Sequence, residues 1–258
     1  MAAGSRDGWL DRVMTAVALR RWGRAAEAAP ETDLPRLRRQ RAAARRLKTR
    51  LDRLLQVAEA RLALPLIGSQ AFPRPQDADW AWRPEPWCGP LPVQGLCPAR
   101  SPARLAEGTV LFHDCPRADI VLRQIRNTRD ADLAACGLKL EVFRFEGTYL
   151  SLAVDLPEAA AQGLKRRHLL RVEALVEMER PVEILARLNI RHGPNSEQIV
   201  RELPLQGDRA RVEFDLAYAR LNEKRVDHLW LDLIFEGPEM SQVILRDLTF
   251  CRRPRAEL

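Results

Sequence analysis

The chain has 258 residues, 46% hydrophobic and 30% charged, with 18 prolines against 13 glycines. That is enough for one large β domain with extensions or for two small domains. The +7 net charge is concentrated: residues 1–64 hold 15 Lys+Arg against 7 Asp+Glu, the remainder 27 against 28. The five cysteines, Cys88, Cys97, Cys115, Cys136 and Cys251, are odd in number and form no CxxC, which argues against a disulfide framework. No GxxxxGK[ST], GxGxxG or GxSxG motif occurs, so the familiar phosphate cradles and the nucleophile elbow are excluded. Met14 to Leu19 is the longest weakly polar run near the start, too short for a signal h-region or a spanning helix. A reducing, cytoplasmic setting is expected, peripheral to the inner membrane if the first helix lies on lipid.

In chain order, residues 1–64 read as a basic arm of two helices. Over 8–28, Trp9, Val13, Ala16, Val17 and Leu19 approximate an amphipathic pattern, with Asp7 as N-cap and Pro30 as stop. Two readings stand: an interfacial helix laying residues 8–24, with Trp9, Met14 and Trp22, on a membrane surface, or a helix packed on protein. Thr32 and Asp33 precede Leu34 and Pro35, a helix start whose run should end at Pro65. Its apolar positions Leu37, Ala44, Leu47, Leu51, Leu54, Ala58 and Leu62 are close to a heptad seam, flanked by RLRRQR and ARRLKTR. Residues 34–64 therefore suggest self-association or a protein partner. Phosphates of nucleic acid or lipid are the alternative, but no aromatic interleaves the charges and no nucleic-acid module surrounds them.

Residues 65–108 form a Pro/Trp-rich strap. Its prolines oppose regular structure, while Trp80, Trp82 and Trp87 predict docking onto a sheet or its edge. From residue 109 to 258 the pattern is strands: TVLFH, DIVLRQIR, LKLEVFRF, TYLSLAVDL, LLRVEALVEME, EILARLNIRH, EQIVREL, ARVEFDLAY, HLWLDLIFE and QVILRDLTF. Turn signals separate several, among them Glu146–Gly147, Pro181, Gly193–Pro194–Asn195 and Gly237–Pro238. Residues 129–136 and 158–166 could each hold one helical turn, and neither suits a crossover helix. The fold class is mainly β, an antiparallel two-sheet jelly-roll-like sandwich with an N-terminal helical arm.

Period-two alternation assigns faces in four strands. Leu150, Leu152, Val154 and Leu156 face in, as do Ile184, Ala186, Leu188 and Ile190, then Val212, Phe214 and Leu216, then Leu229, Leu231, Leu233 and Phe235. The outward set contains Tyr149, Ser151, Arg187, Asn189, Asp215, Trp230 and Asp232.

LNIRHGPNSEQIVREL, VEFDLAYARLNEKRVDHLWLDLIFEGPEM and VILRDLTFCRRPRAEL, with FHDCP and DWAWRPEPW upstream, resemble a bacterial family known only as a domain of unknown function. The likeness spans about residues 70–258 and implies no activity. Over about 140–252 the strand pattern, closing on VILRDLTF, is also similar to jelly-roll domains of the galactose-binding and carbohydrate-binding kind. That resemblance implies ligand binding by an aromatic stacked on a sugar ring and planar polar groups on its hydroxyls. Trp230, Asp232, Arg187, Asn189, Asp215 and Tyr149 have those chemical types, and cross-strand pairing on a solvated sheet is the plain alternative.

Catalysis has less support. His113, His168, His192 and His228 are scattered, with no pair at metal-ligand spacing. His113–Asp114–Cys115 reads as a strand-end turn, and His192–Asn195 as a tight turn. Asp215 and Asp232 could form a carboxylate pair of the kind that glycoside hydrolysis needs. The reading is a non-enzymatic module with carbohydrate or a glycoconjugate as ligand and no cofactor or metal. A scaffold acting through its arm comes second, and a sandwich-fold hydrolase third.

Overall fold

The computed structural model describes residues 4–67, 72–129 and 131–255. The chain divides into two compact units, Met1–Leu55 and Gln56–Leu258.

The first unit is helical, and its second helix continues past Leu55 into the residues of the second unit. Helix α1 (Gly4–Glu27) begins ahead of Asp7, the expected cap, and a short 3-10 turn at Ala29–Glu31 leads to α2 (Leu34–Ile67). Asp33 caps α2 as expected, its Oδ1 accepting the Arg36 N–H at 3.0 Å. The helix runs past Pro65, the expected stop, and ends two residues later at Ile67. Met14, Val17 and Leu19 on α1 and Leu47, Leu51 and Leu54 on α2 are exposed. The side chains of Trp9, Val13, Ala58 and Leu62 lie outside the described residues.

The second unit is the sandwich. In chain order its elements are β1 (Trp80–Trp82), α3 (Glu85–Cys88), β2 (Gly95–Leu96), β3 (Ala103–Ala106), β4 (Thr109–His113) and β5 (Asp119–Arg126). They continue as β6 (Cys136–Arg144), β7 (Leu150–Asp155), α4 (Glu158–Ala161), β8 (His168–Met178), β9 (Glu183–His192) and β10 (Asn195–Glu202). The last are β11 (Leu205–Gln206), β12 (Arg209–Asp215), β13 (Val226–Glu236) and β14 (Ser241–Pro254). One sheet has the order β11-β12-β8-β14-β6-β5-β2, with β1 also on β14; the other runs β10-β9-β13-β7-β4-β3. Every pairing is antiparallel.

Alternation places the core as expected. Leu152, Leu188, Phe214, Leu231 and Leu233 are all 2% exposed or less, from strands of both sheets. An apolar inner face on each sheet, closed on the other, is what hydrophobic burial requires of two amphipathic layers. Residues 158–161 form the short helix expected there, whereas the stretch from Arg129 is a turn closed by Asp132 N–H to Arg129 O at 3.0 Å.

The strap is more regular than its prolines suggest. The WAW segment is free of proline and pairs with β14 at Phe250–Arg252, beyond the Ser241–Leu245 stretch that pairs with β6. Pro84 and Pro86 fall at the start of α3, where a missing amide proton costs nothing. Trp82 packs on Phe250 at 5.6 Å between ring centroids, and fully buried Trp87 donates its indole N–H to Leu245 O at 2.9 Å. The strap thus completes the eight-stranded sheet. None of residues 72–98 lines the cleft around Trp230, whereas Arg104 and Gly108 at the end of the strap do.

Candidate functional site

The outer face of the six-stranded sheet is built by strand register. Trp230 on β13 sits between Asn189 on β9 and Asp155 on β7, and Asp232 sits between Arg187 and Ala153. On the far side Val110 pairs with Ala153 and Phe112 with Ser151, so an apolar strip of Val110, Phe112 and Ala153 continues from the indole. Because residues two apart share a face, four of the outward-facing residues meet in two adjacent rows. A cleft of about 350 Å³ opens there, with Trp230, Asp232, Phe112, His228, Arg104 and Asp155 in its lining.

The polar groups are fixed. Asp232, only 4% exposed, has all three of its contacts on Oδ2: Arg187 Nη2 at 2.8 Å, Arg187 Nε at 2.9 Å and Asn189 Nδ2 at 2.9 Å. Among the described residues Asp232 Oδ1 accepts no hydrogen bond. Asn189 Nδ2 also donates to Arg187 O at 3.1 Å and to Trp230 O at 3.5 Å, which fixes the amide orientation. Its Oδ1 is buried without a partner among the described residues. Trp230 is half-buried, and His228 stacks on it at 5.3 Å and 27°, with Nε2 3.3 Å from Asp155 Oδ1.

Of the six residues singled out, Trp230, Asp232, Arg187 and Asn189 are together, and Asp215 and Tyr149 are not. Asp215 ends β12 in the other sheet, where it accepts the Ala217 N–H at 2.9 Å and faces Arg255 at 3.4 Å. The Asp215–Asp232 carboxylate pair weighed for glycoside hydrolysis is therefore absent, since the two strands belong to different layers. Tyr149 precedes β7 six residues before Asp155, roughly 20 Å along the strand, and its N–H reaches Asp114 Oδ1 at 3.2 Å. Asn189 and Asp232 point outward as alternation requires, yet they are buried beneath their neighbours rather than solvated. Sequence reading missed Phe112 and His228, whose outward parity on β4 and β13 was the available signal.

Elsewhere the short motifs are structural. Asp114 closes the turn at 147–149 by accepting from Thr148 N–H at 2.7 Å, and the Thr148 hydroxyl holds its carboxyl below the usual range. His192 and Asn195 close the β9–β10 hairpin, with Gly193 at φ +66° as its first central residue, where a side chain would be strained. Among the described residues no helix is long and apolar enough to cross a membrane, and no three His, Cys, Asp or Glu side chains gather as metal ligands.

A family profile matches residues 1–258, the whole chain. The chain belongs to that family, described as "Family of unknown function (DUF6478)". Membership of DUF6478 thus takes in the helical arm as well as the region from residue 70. No curated protein matches the sequence. Among solved structures, the family 11 carbohydrate-binding module from Clostridium thermocellum, in complex with a β-1,3-1,4-mixed-linked tetrasaccharide, is 11% identical at TM-score 0.39. The match covers 64% of this chain and 99% of that one. TmCBM61 in complex with β-1,4-galactotriose is 13% identical at TM-score 0.33, over 57% of this chain and 88% of that one. The enzymatically active domain of bacteriophage CBA120 tailspike protein 4 is 6% identical at TM-score 0.40. There the match covers 61% of this chain and about a fifth (21%) of that one.

Proposed function

We propose that the outer face of the six-stranded sheet is a carbohydrate-binding surface, with Trp230 as stacking platform and Asp232 as hydroxyl acceptor. One observation carries the reading. Trp230, half-buried in the lining of the cleft, stands beside a buried carboxylate whose contacts all converge on one oxygen, leaving the other without a partner among the described residues. A sugar ring offers an apolar C–H face and hydroxyl donors side by side, and these two groups complement both. Arg187 and Asn189 hold the carboxylate in place before any ligand arrives, so little ordering cost remains at binding. Glycan-array binding and titration calorimetry test this. Trp230→Ala should weaken binding by at least about tenfold with the thermal midpoint unchanged. A variant that binds as well as the parent chain sinks the reading.

The arm supports a second reading. With Leu37, Ala44 and Leu51 on one line of the α2 seam and Gln40, Leu47 and Leu54 on the other, the flanking positions include Arg36, Arg41, Lys48 and Arg50. Two copies would oppose these cations in either orientation, which disfavours self-association. An acidic amphipathic helix would offset them while covering the exposed leucines. A synthetic heptad helix with glutamate flanks should bind the chain at low salt and release it at high salt. Dimerisation of the chain at low salt, or binding to phosphatidylserine vesicles without binding to the helix, overturns this reading.

A further inference from the structure

We infer that the ligand is an acidic glycan, one carrying carboxylate, phosphate or sulfate groups, and that Arg220, Lys224 and Arg225 hold its charged group. The inference rests on the sheet-face reading above and names the class of ligand. The segment between β12 and β13 and the β9–β10 hairpin enclose an open cleft of about 570 Å³. Its lining includes His192, Asn195, Arg220, Asn222, Lys224 and Arg225. Register sets it further along the same strands: Asn189 pairs with Trp230, Arg191 with His228 and, past a bulge, His192 with Val226 at the β9 end. Three residues along β9 are about 10 Å, within reach of a short oligosaccharide lying on Trp230.

Charge separates this end from the rest of the face. Each carboxylate near the indole faces a basic group: Asp232 faces Arg187, with Oδ1 still open, Asp227 faces Arg191 at 2.9 Å and Asp155 faces the His228 ring. In the cleft lining Glu223 accepts the Arg166 N–H at 2.8 Å, and Glu197, outside the lining on β10, accepts the Arg220 N–H at 3.2 Å. Arg220, Lys224 and Arg225 are exposed, and among the described residues their side chains make no ion pair. The backbone around them is ordered. Gly193 N–H donates to Arg225 O at 3.1 Å, Arg225 N–H to Asn222 O at 3.0 Å, and Lys224 N–H to Asn222 Oδ1 at 3.3 Å. The Arg225 stem lies across Gly193, 3.5 Å from where a Cβ would stand. Three cations held on one short loop repel one another until an anion enters, and guanidinium forks suit planar or tetrahedral oxyanions. A neutral sugar needs acceptors as well as donors, and the cations here supply donors alone.

The test compares binding of the full chain to polygalacturonate and a sulfated polysaccharide with binding to a neutral mixed-linkage glucan, by affinity electrophoresis and calorimetry. The expected result is preference for the acidic polymers, weakened by salt. The combined Arg220→Ala, Lys224→Ala, Arg225→Ala variant should lose about tenfold or more on the acidic polymers and nothing on the neutral one. Trp230→Ala should weaken both. Equal binding of neutral and acidic polymers, unmoved by the triple variant, overturns the acidic-ligand inference and leaves the Trp230 reading standing. Acidic binding abolished by the triple variant but untouched by Trp230→Ala keeps the anion site and sinks the sugar face. Binding to none of the polymers overturns both.

Discussion

Arg83 and Asp247 form a two-pronged ion pair almost wholly out of water: Nε–Oδ1 is 2.9 Å, Nη2–Oδ2 is 2.8 Å, and the side chains are 1% and 9% exposed. The pair ties the strap to β14 at the bulge where β14 shifts register against β8. Asp247 Oδ1 also accepts the Leu248 N–H at 2.8 Å. Removing the cation leaves that carboxylate buried and uncompensated. Arg83→Met is expected to cost about 3–5 kcal/mol, read as a lower urea midpoint. The paired change Arg83→Met with Asp247→Leu should recover much of it. An unchanged midpoint in the single variant would show that the pair is structurally idle.

Arg187 plays the same part on the candidate binding face. Arg187→Met leaves Asp232, 4% exposed, with only Asn189 as partner. The Arg187 side chain is itself 36% exposed, so the pair is partly solvated and the expected cost is smaller, about 1–3 kcal/mol. Glycan affinity should fall with it, because the carboxylate loses its fixed orientation. Denaturant melts and calorimetry on one sample separate the two effects.

His168 predicts an acid-side loss of stability. The ring is 4% exposed and its Nδ1 accepts the Lys165 N–H at 3.1 Å, so a proton there would displace a hydrogen bond. Burial pushes its pKa below the ordinary imidazole value. Asp79, 3.7 Å away, opposes the shift, while Arg252, Arg167 and Lys165 add to it. The unfolded chain therefore takes up the proton first as pH falls below about 6.5. Stability is whole above that pH and declines below it, until the folded form is itself protonated. Thermal midpoints between pH 8 and 5 should show this limb, and His168→Gln should flatten it.

Gly137 predicts an intolerance. A Cβ there would stand 2.9 Å from Leu245 O, 3.0 Å from Arg246 Cα and 3.1 Å from Asn127 Oδ1. Asn127 cannot yield, since its Nδ2 donates to Ala134 O, Cys136 O and Arg246 O. Gly137→Ala is expected to cost about 1–3 kcal/mol, measured by chemical denaturation.

The sandwich was legible because a strand exposed to core on one face and solvent on the other must alternate, and four strands did so without exception at their inward positions. Which layer a strand joins is not written in alternation, so Asp215 and Asp232 looked like neighbours although their strands lie in opposite sheets. Burial of an outward polar group depends on what lies beside it across the strands, which is why Asn189 and Asp232 read as solvated. The strap's strand was obscured by its prolines, although WAW itself holds none. The cations of ARLNEKR were visible as a run, but their lack of ionic partners emerges only from the geometry.

The last strand in the chain order lies in the middle of the larger sheet. β14 separates β8 from β6 and also receives β1, so three segments made at different times meet on residues 241–254. Until that stretch has left the ribosome, the eight-stranded layer is two three-stranded fragments with bare edges and an unpaired β1. The larger sheet therefore closes only once β14 is available, and truncations inside β14 should yield insoluble chains rather than shortened folded ones.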